Sequence, residues 1–563
     1  MGRGAELRPT GLVDIVSAAS ADEVAGCVGR VEKAVGTGLY AAGYIAYEAA
    51  PAFNRDLAVH HVKGAPALWF GLYKDLLATP RSPTPDRPFT VGPWRPLIGR
   101  DEYMGCIAHI RELIAAGDTY QVNYTFPMTA SFDGDAFGWF RRLCEAQRTD
   151  VAAYVDTGRF KIVSASPELF FRLEDGLLET RPMKGTRRRG RWPEEDRRAA
   201  AALAASEKER AENVMIVDLL RNDMGRVSTT GSVSVARLFE LERYDTVWQM
   251  TSTIRSRTEG TVPEVLGALF PSGSVTGAPK IRTMQIIRDV EPFPRGVYCG
   301  AVGWWGPGRR ACFNVAIRTA TVDSEQGTAQ YHVGGGITWS STAESEYDEC
   351  LAKAEVVKHE RPEFRLLESV LFDGEFFLLD AHLNRLGESA AYFGFAVDLC
   401  AIRRALTGQS DAFGTGPVKV RLLVARDGVF CIEPERAAPA MPVRAGFAAS
   451  PVDDRDVFLY HKTTHRGVYD RAQQSRPDCD DVLLWNKRGE VTESATANVA
   501  VRLDGQWLTP PVECGLLPGT MRAHLLERGV LREAILTKGD VARAEAVHLI
   551  NSVRKRAEAV FVP

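Results

Sequence analysis

The chain has 563 residues, with 69 basic and 72 acidic side chains, a net charge of -3 and 45% hydrophobic residues. That length exceeds one core and predicts roughly two to four domains. The balanced charge argues against a chain that binds nucleic acid along its length. Ten cysteines fall singly between Cys27 and Cys514 with no CxxC pair, which argues against a zinc ribbon or disulfide framework and fits a reducing compartment. The start, MGRGAELRPTGLVDIV, has no apolar core of signal-peptide length, and no run of about 18 apolar residues occurs. The expectation is a cytoplasmic protein with no membrane segment.

In chain order, the N-terminal hundred residues carry one distinctive piece, GYIAYE at Gly43–Glu48. The proline-rich TPRSPTPDRPF, Thr79–Phe89, then predicts a long loop. Strand-like runs (AAYVDT, KIVSAS, ACFNVAIRTATV) mix with long helical stretches such as Arg197–Leu220, an α+β pattern. Between them TRPMKGTRRRGRW, Thr180–Trp192, places six basic residues in thirteen positions. Lys184 is framed by Pro182 and Gly185 in a tight turn. Arg187, Arg188, Arg189 and Arg191 lack such framing and read as a solvated basic loop or a nucleic-acid patch.

The helix SEKERAENVMIVDLLRNDMGRV carries Glu212 among apolar Val214, Met215, Val217, Leu219 and Leu220. PSGSVTGAPK, Pro271–Lys280, lacks the GxxxxGK[ST] spacing, so no nucleotide site is expected. GGG at Gly334–Gly336 offers backbone donors to an anion, or only a tight turn. STAESEYDECLAKAE then puts Glu349 and Lys353 on one helical face. Two carboxylates from separate helices suit Mg²⁺, which takes few protein ligands, although each acid alone reads as solvated. Composition breaks at AEVVKHERPEF, Ala354–Phe364. The predicted division is therefore an N-terminal subregion at 1–99, a catalytic domain at 100–357, a linker at 358–365 and a second α+β domain at 366–563. In that domain Lys462, in YHKTTHR, and Glu493, in GEVTESATANVAV, each read alone as surface groups.

Eight motifs in order resemble those of the chorismate-utilising enzymes over about Arg100 to Val357: GDTYQVNYT, SASPELFF, TRPMKGT, AENVMIVDLLRND, PSGSVTGAPK, RGVYCGAVGW, FNVAIRT and GGGITWSSTAESEYDE. The resemblance implies that family's β-sandwich flanked by helices, chorismate as substrate and Mg²⁺ as cofactor. It implies Glu212 and Glu349 as metal ligands, and Arg318 and Tyr298 on the enolpyruvyl carboxylate, where an arginine fork suits a planar group. Lys353, Thr276, Gly277 and Gly335 match further carboxylate contacts. Members that add water carry a lysine base where this chain has Gln121, which takes no proton. Anthranilate synthases carry a small residue where Lys184 stands, and aminodeoxychorismate synthases have PIKGT against PMKGT here. Lys184 is thereby implied as a covalent catalyst, and Glu168 as the acid that protonates the departing hydroxyl. Gln249, in VWQMTST, stands where many members have a histidine, so no histidine base is assigned. Ammonia would come from a separate glutamine amidotransferase subunit, since no glutaminase motif is present.

From Leu366 to Pro563, LLESVLFDGEFFLLDAHLNRL, YHKTTHR, GEVTESATANVAV and GLLPGTMR resemble the fold-type IV pyridoxal-phosphate enzymes (aminotransferase class IV-like), particularly aminodeoxychorismate lyase and the branched-chain aminotransferases. The resemblance implies Lys462 as the Schiff-base lysine and Glu493 on the pyridinium nitrogen. It puts Arg385 and the backbone around Thr520 and Met521 on the phosphate, with Ser552 in the same duty. The usual fold's first strand has no counterpart here, so it is absent or supplied otherwise. Together the two resemblances imply 4-aminobenzoate synthesis for folate, by amination of chorismate and then elimination of pyruvate. An anthranilate-type synthase fused to a branched-chain or D-amino-acid aminotransferase is the alternative. The second domain leaves room for a homodimer; no nucleic-acid or membrane partner is expected.

Overall fold

The computed structural model describes residues 5–61, 63–80, 87–147, 149–354, 357, 362–414 and 416–562. Most of the expected linker, and the middle of the expected proline-rich loop, lie outside them. The described chain divides into two compact units, residues 1–188 with 200–361, and residues 189–199 with 362–563. No described helix is long and apolar enough to cross a membrane.

The first unit holds a ten-stranded and an eight-stranded sheet, both antiparallel throughout. The N-terminal strands Ala5–Ala18, Leu68–Pro80 and Tyr40–Ile45 lead into Ala301–Gly306 within the larger sheet, and Met183–Arg188 lies at its far edge. In the smaller sheet Gln121–Gly134 pairs with Thr328–Ile337, so that Val122 faces Ile337. Tyr44, Trp69 and Val302 of one sheet meet Val155 and Ile162 of the other in a shared apolar layer. Helices cover the outer faces, as in a two-layer sandwich.

Local chemistry sets these helices. Glu207–Gly225 starts at Ser206, whose hydroxyl accepts from the Glu209 N–H at 3.4 Å, satisfying an orphan donor of the first turn. Its buried Asn213, Ile216, Val217, Leu220 and Met224 recur every three to four residues, which turns one face inward and leaves Glu212 on the flank. Val262–Leu269 starts with a full capping box between Thr261 and Glu264.

The second unit has a four-stranded antiparallel sheet, Glu375–Phe376, Leu366–Asp373, Val418–Val424 and Phe430–Arg436, covered by the helices Leu379–Phe393 and Leu399–Gly408. Its eight-stranded mixed sheet closes on itself where Val491–Ser494 pairs with both Asp481–Trp485 and Asn498–Leu503. Residues 189–199 belong to this unit although chain on both sides belongs to the first. Arg189 grips Asp196 with two bonds of 2.6 and 2.7 Å and covers the Tyr392 ring at 4.2 Å. Arg191 bonds the Tyr460 hydroxyl at 3.0 Å, and Trp192 stacks on Tyr460 at 5.1 Å. The second half of the basic run is therefore ion-paired structure and not an open patch; only Arg187 and Arg188 stay exposed.

Candidate functional site

Lys184 reaches its place through a bulge. Met183 faces Thr251 and Thr186 faces Gln249, so the Lys184 strand has one residue more than its partner. Gly185 absorbs the extra residue at φ +99. The Gln249 amide bridges the bulge, donating to the Gly185 carbonyl and accepting from the Thr186 hydroxyl, each at 2.8 Å. Asn213 donates to the Lys184 carbonyl at 3.2 Å and is itself held by Ser252 at 2.6 Å. Gln249, named only as a departure from the family pattern, is thus a brace for Lys184.

The lysine nitrogen comes up to the smaller sheet. A Cβ on Gly336 would lie 2.4 Å from Lys184 Nζ and 2.8 Å from Gln121 Nε2. Gln121 is fully buried, and neither amide atom has a hydrogen-bond partner among the described residues. Burial lowers the Lys184 pKa, as does Lys353, against the pull of Glu212, Glu349 and Glu168. A lysine so placed loses its proton more readily than a free one. Glu168 is 3% exposed, accepts from the Ser274 hydroxyl at 2.6 Å, and burial pushes its pKa up to about 7. It therefore carries a proton over part of the neutral range.

The expected metal residues gather around the same lysine. Glu349 pairs with Lys353 at 2.9 Å, and Lys353 donates to the Gly334 carbonyl at 2.9 Å. Each carboxylate has a neighbour three residues earlier that sequence reasoning passed over, Glu209 and Glu346. Burial, then Glu212, raises the pKa of Glu209; burial, then Glu349, raises that of Glu346. No group of three or more metal-ligating side chains stands preassembled among the described residues. Crowded, mutually repelling carboxylates on two helices nevertheless suit a hard cation that completes its shell with water and substrate. The repeated E-x-x-E spacing was the signal for the second pair.

The carboxylate contacts fall close by. A Cβ on Gly335 would lie 3.0 Å from Glu346 Oε2. Thr276 is fully buried, with its hydroxyl 3.2 Å from the Ser272 carbonyl. Gly277, at φ +149, lies so near the Gln121 carbonyl that a Cβ would sit 2.0 Å from it. Arg318 donates to Gln147 and faces the phenols of Tyr244 and Tyr331, with no carboxylate paired to it among the described residues. Such a cation is a receptor for an anionic group. Tyr298 is buried and stacked on His332 at 5.0 Å.

The second unit gathers the other set. Burial, then Arg385, brings Lys462 down to about 8. Glu493 is 4% exposed and burial raises it to about 8. Tyr469 donates to one of its oxygens at 2.8 Å, and Asn498 to the other at 3.2 Å. Thr520 and Met521 open the helix Thr520–Glu527 behind Gly519; a Cβ there would fall 2.0 Å from Asn498 Oδ1. Arg385 is braced by Glu368 and reaches the Pro518 carbonyl at 3.4 Å. The Ser552 hydroxyl approaches the Ser369 carbonyl at 3.4 Å. Tyr469, Asn498 and Glu368 carried no sequence signal, since each works only through its spatial neighbour.

A family model described as chorismate binding enzyme matches residues 13–359, and one described as amino-transferase class IV matches residues 365–558. The aminodeoxychorismate synthase component 1 of Salmonella typhimurium is 40% identical over 286 residues, 50% of this chain and 62% of that protein. The anthranilate synthase component 1 of Aquifex aeolicus is 39% identical over 266 residues, 47% of this chain and 53% of that one. The chain thus spans less than two thirds of the length of either relative. The crystal structure of anthranilate synthase component I from Streptococcus pneumoniae has a similar fold, with a TM-score of 0.56 and 25% identity over 64% of this chain and 93% of that one. The chain belongs to the chorismate binding enzymes and carries a class IV aminotransferase-type unit in the same polypeptide.

Proposed function

We propose that the chain makes 4-aminobenzoate from chorismate in two steps. The first unit replaces the C4 hydroxyl with ammonia, giving 4-amino-4-deoxychorismate; the second eliminates pyruvate from that product. One observation carries the first step: a lysine with a lowered pKa lies between an acid whose pKa is raised to about 7 and a carboxylate cluster, beside an amide that takes no proton. In the reaction Lys184 Nζ attacks C2, the two conjugated ring double bonds each shift one position toward C4, and the C4–O bond breaks. Glu168 supplies the proton that leaves with this oxygen as water. Ammonia then attacks C4, both double bonds shift back, and the C2–N bond to Lys184 breaks. Two allylic displacements replace one difficult substitution with retention. Gln121 in place of a base favours ammonia over water as the second nucleophile.

Glu212 and Glu349 would hold Mg²⁺, which supplies charge stabilisation to the substrate carboxylate. Arg318 and Tyr298 would fix the enolpyruvyl carboxylate, and Lys353, Thr276, Gly277 and Gly335 would line the remaining contacts. Ammonia comes from a partner glutamine amidotransferase; relatives named component 1 support a separate partner.

In the second unit the residues fit pyridoxal phosphate, because a half-buried lysine and a buried acid lie beside a helix N-terminus with a braced arginine. The cofactor when bound supplies an electron sink. Lys462 would hold it and then move the C4 proton of the substrate. Glu493, kept in place by Tyr469 and Asn498, would bind the ring nitrogen, and Arg385, Thr520, Met521 and Ser552 the phosphate. The reading is tested by giving the purified chain chorismate, ammonium and Mg²⁺ and identifying products by mass. Anthranilate in place of 4-aminobenzoate would overturn the first step. Amino transfer to a keto acid without pyruvate release would turn the second unit into an aminotransferase.

A further inference from the structure

Glu368 is 1% exposed on the strand Leu366–Asp373 and takes three charged or polar donors. Arg385 gives it Nε at 2.9 Å and a terminal nitrogen at 2.6 Å, and His382 Nδ1 lies 2.7 Å away. Burial works against its charge, yet Arg385 and His382 hold its pKa down to about 2. A carboxylate accepts only, so His382 Nδ1 carries a proton. Burial lowers the imidazole pKa, and its Nε2 is hydrogen-bonded with the Thr520 hydroxyl at 3.2 Å. One buried anion therefore fixes a guanidinium directly and a helix-opening threonine through a single imidazole. Glu368 and Arg385 both act on the Lys462 charge, which places this network beside the lysine.

We infer that Glu368 is a positioning residue for cofactor phosphate, orienting Arg385 and, through His382, the first turn of the Thr520–Glu527 helix. This rests on the reading of the second unit as a pyridoxal-phosphate site. Bidentate bracing commits one edge of the guanidinium and leaves its remaining N–H groups for the phosphate. The hydrogen bond between the imidazole and the threonine hydroxyl fixes the helix start, whose backbone N–H groups then meet the anion.

The test is equilibrium binding to the full-length apoprotein, followed by the absorbance of lysine-bound cofactor, with two probes: pyridoxal phosphate and pyridoxal, which lacks the phosphate. Glu368→Gln is expected to weaken pyridoxal phosphate about ten- to a hundredfold, the worth of charged hydrogen bonds. Pyridoxal should stay within about twofold, because its bond to Lys462 is untouched. Equal loss for both probes would mean that Glu368 merely supports the fold, and no loss for either would remove its role; both overturn the inference. If Glu368→Gln does not fold, His382→Asn carries the same comparison, since it cuts only the threonine arm. Again, loss confined to the phosphate-bearing probe supports the inference and any other pattern overturns it. Arg385→Ala and Lys462→Ala report on the underlying reading. If wild type binds neither probe, or if these two variants bind like wild type, the site itself is misassigned, whatever Glu368 does.

Discussion

Lys184 differs from the arginines that follow it by what surrounds its nitrogen, and single substitutions should separate the parts. Lys184→Ala is expected to cut aminodeoxychorismate formation at least about a thousandfold, because it deletes the attacking atom. Chorismate affinity should hold, since the carboxylate contacts remain; quenched-flow product analysis and equilibrium binding check both. Gln249→Ala removes the brace across Gly185 and Thr186 without touching the lysine. Its kcat should fall about tenfold with KM unchanged, the worth of a hydrogen bond or two lost at the reacting geometry. Glu168 works as an acid only while protonated. With the rate corrected for free ammonia, its contribution should be lost as pH rises through about 7. In Glu168→Gln the rate should be low and that alkaline limb absent.

At the scale of elements, the site is an edge strand of one sheet brought to two central strands of another, and glycines set the clearance. Gly336→Ala would drive a methyl into Lys184 Nζ and Gln121 Nε2, at 2.4 and 2.8 Å. The near atoms are side-chain ends that can move, so the variant should melt within a few degrees of wild type yet lose most of its turnover. Gly303→Ala is the contrast, since its methyl would meet the Cys312 carbonyl at 2.1 Å within the larger sheet. Backbone cannot step aside, and soluble expression should fail. Lys462 and Glu493 stood out only through the family resemblance, and Lys184, expected in a tight turn, lies instead on the bulged strand Met183–Arg188; the helix face shared by Glu349 and Lys353 was legible in the sequence. What crosses elements was not. Nothing in TRPMKGT says that Gln249 will clamp it, and nothing near Arg318 says that no carboxylate among the described residues will pair with it. The arginine run shows the limit most plainly. Arg187 and Arg189 look alike in sequence, yet one is exposed and the other is buried on Asp196, because only the fold decides where the first unit's chain ends its strand.

At the scale of the molecule the two chemistries should separate cleanly. Lys462→Ala should leave chorismate consumption intact, because the first unit uses none of the second unit's residues, and 4-amino-4-deoxychorismate should accumulate in place of 4-aminobenzoate by mass analysis. Stability should also carry a pH signature. Glu48 is 1% exposed and burial lifts its pKa to about 7, above its value in the unfolded chain. The folded state then holds the extra proton, so this contribution is full below about 4.5 and is lost as pH rises through about 7. The loss is on the order of 3 kcal/mol. Glu48→Gln should flatten the fall in melting temperature between those limits; an unchanged slope would show that other groups set it.

The passage of residues 189–199 through the second unit bears on how the polypeptide is made. Arg191 leaves the ribosome 269 residues before Tyr460, its hydrogen-bond partner. During synthesis this segment can pair Arg189 with Asp196 and Arg191 with Glu195, but its contacts to Tyr392 and Tyr460 must wait as late, long-range contacts. A single cut between the units, by protease or by splitting the gene, therefore cannot yield two self-sufficient halves. The downstream piece would lack Arg189 over Tyr392 and Trp192 on Tyr460, and the upstream piece would keep a loop without its seat.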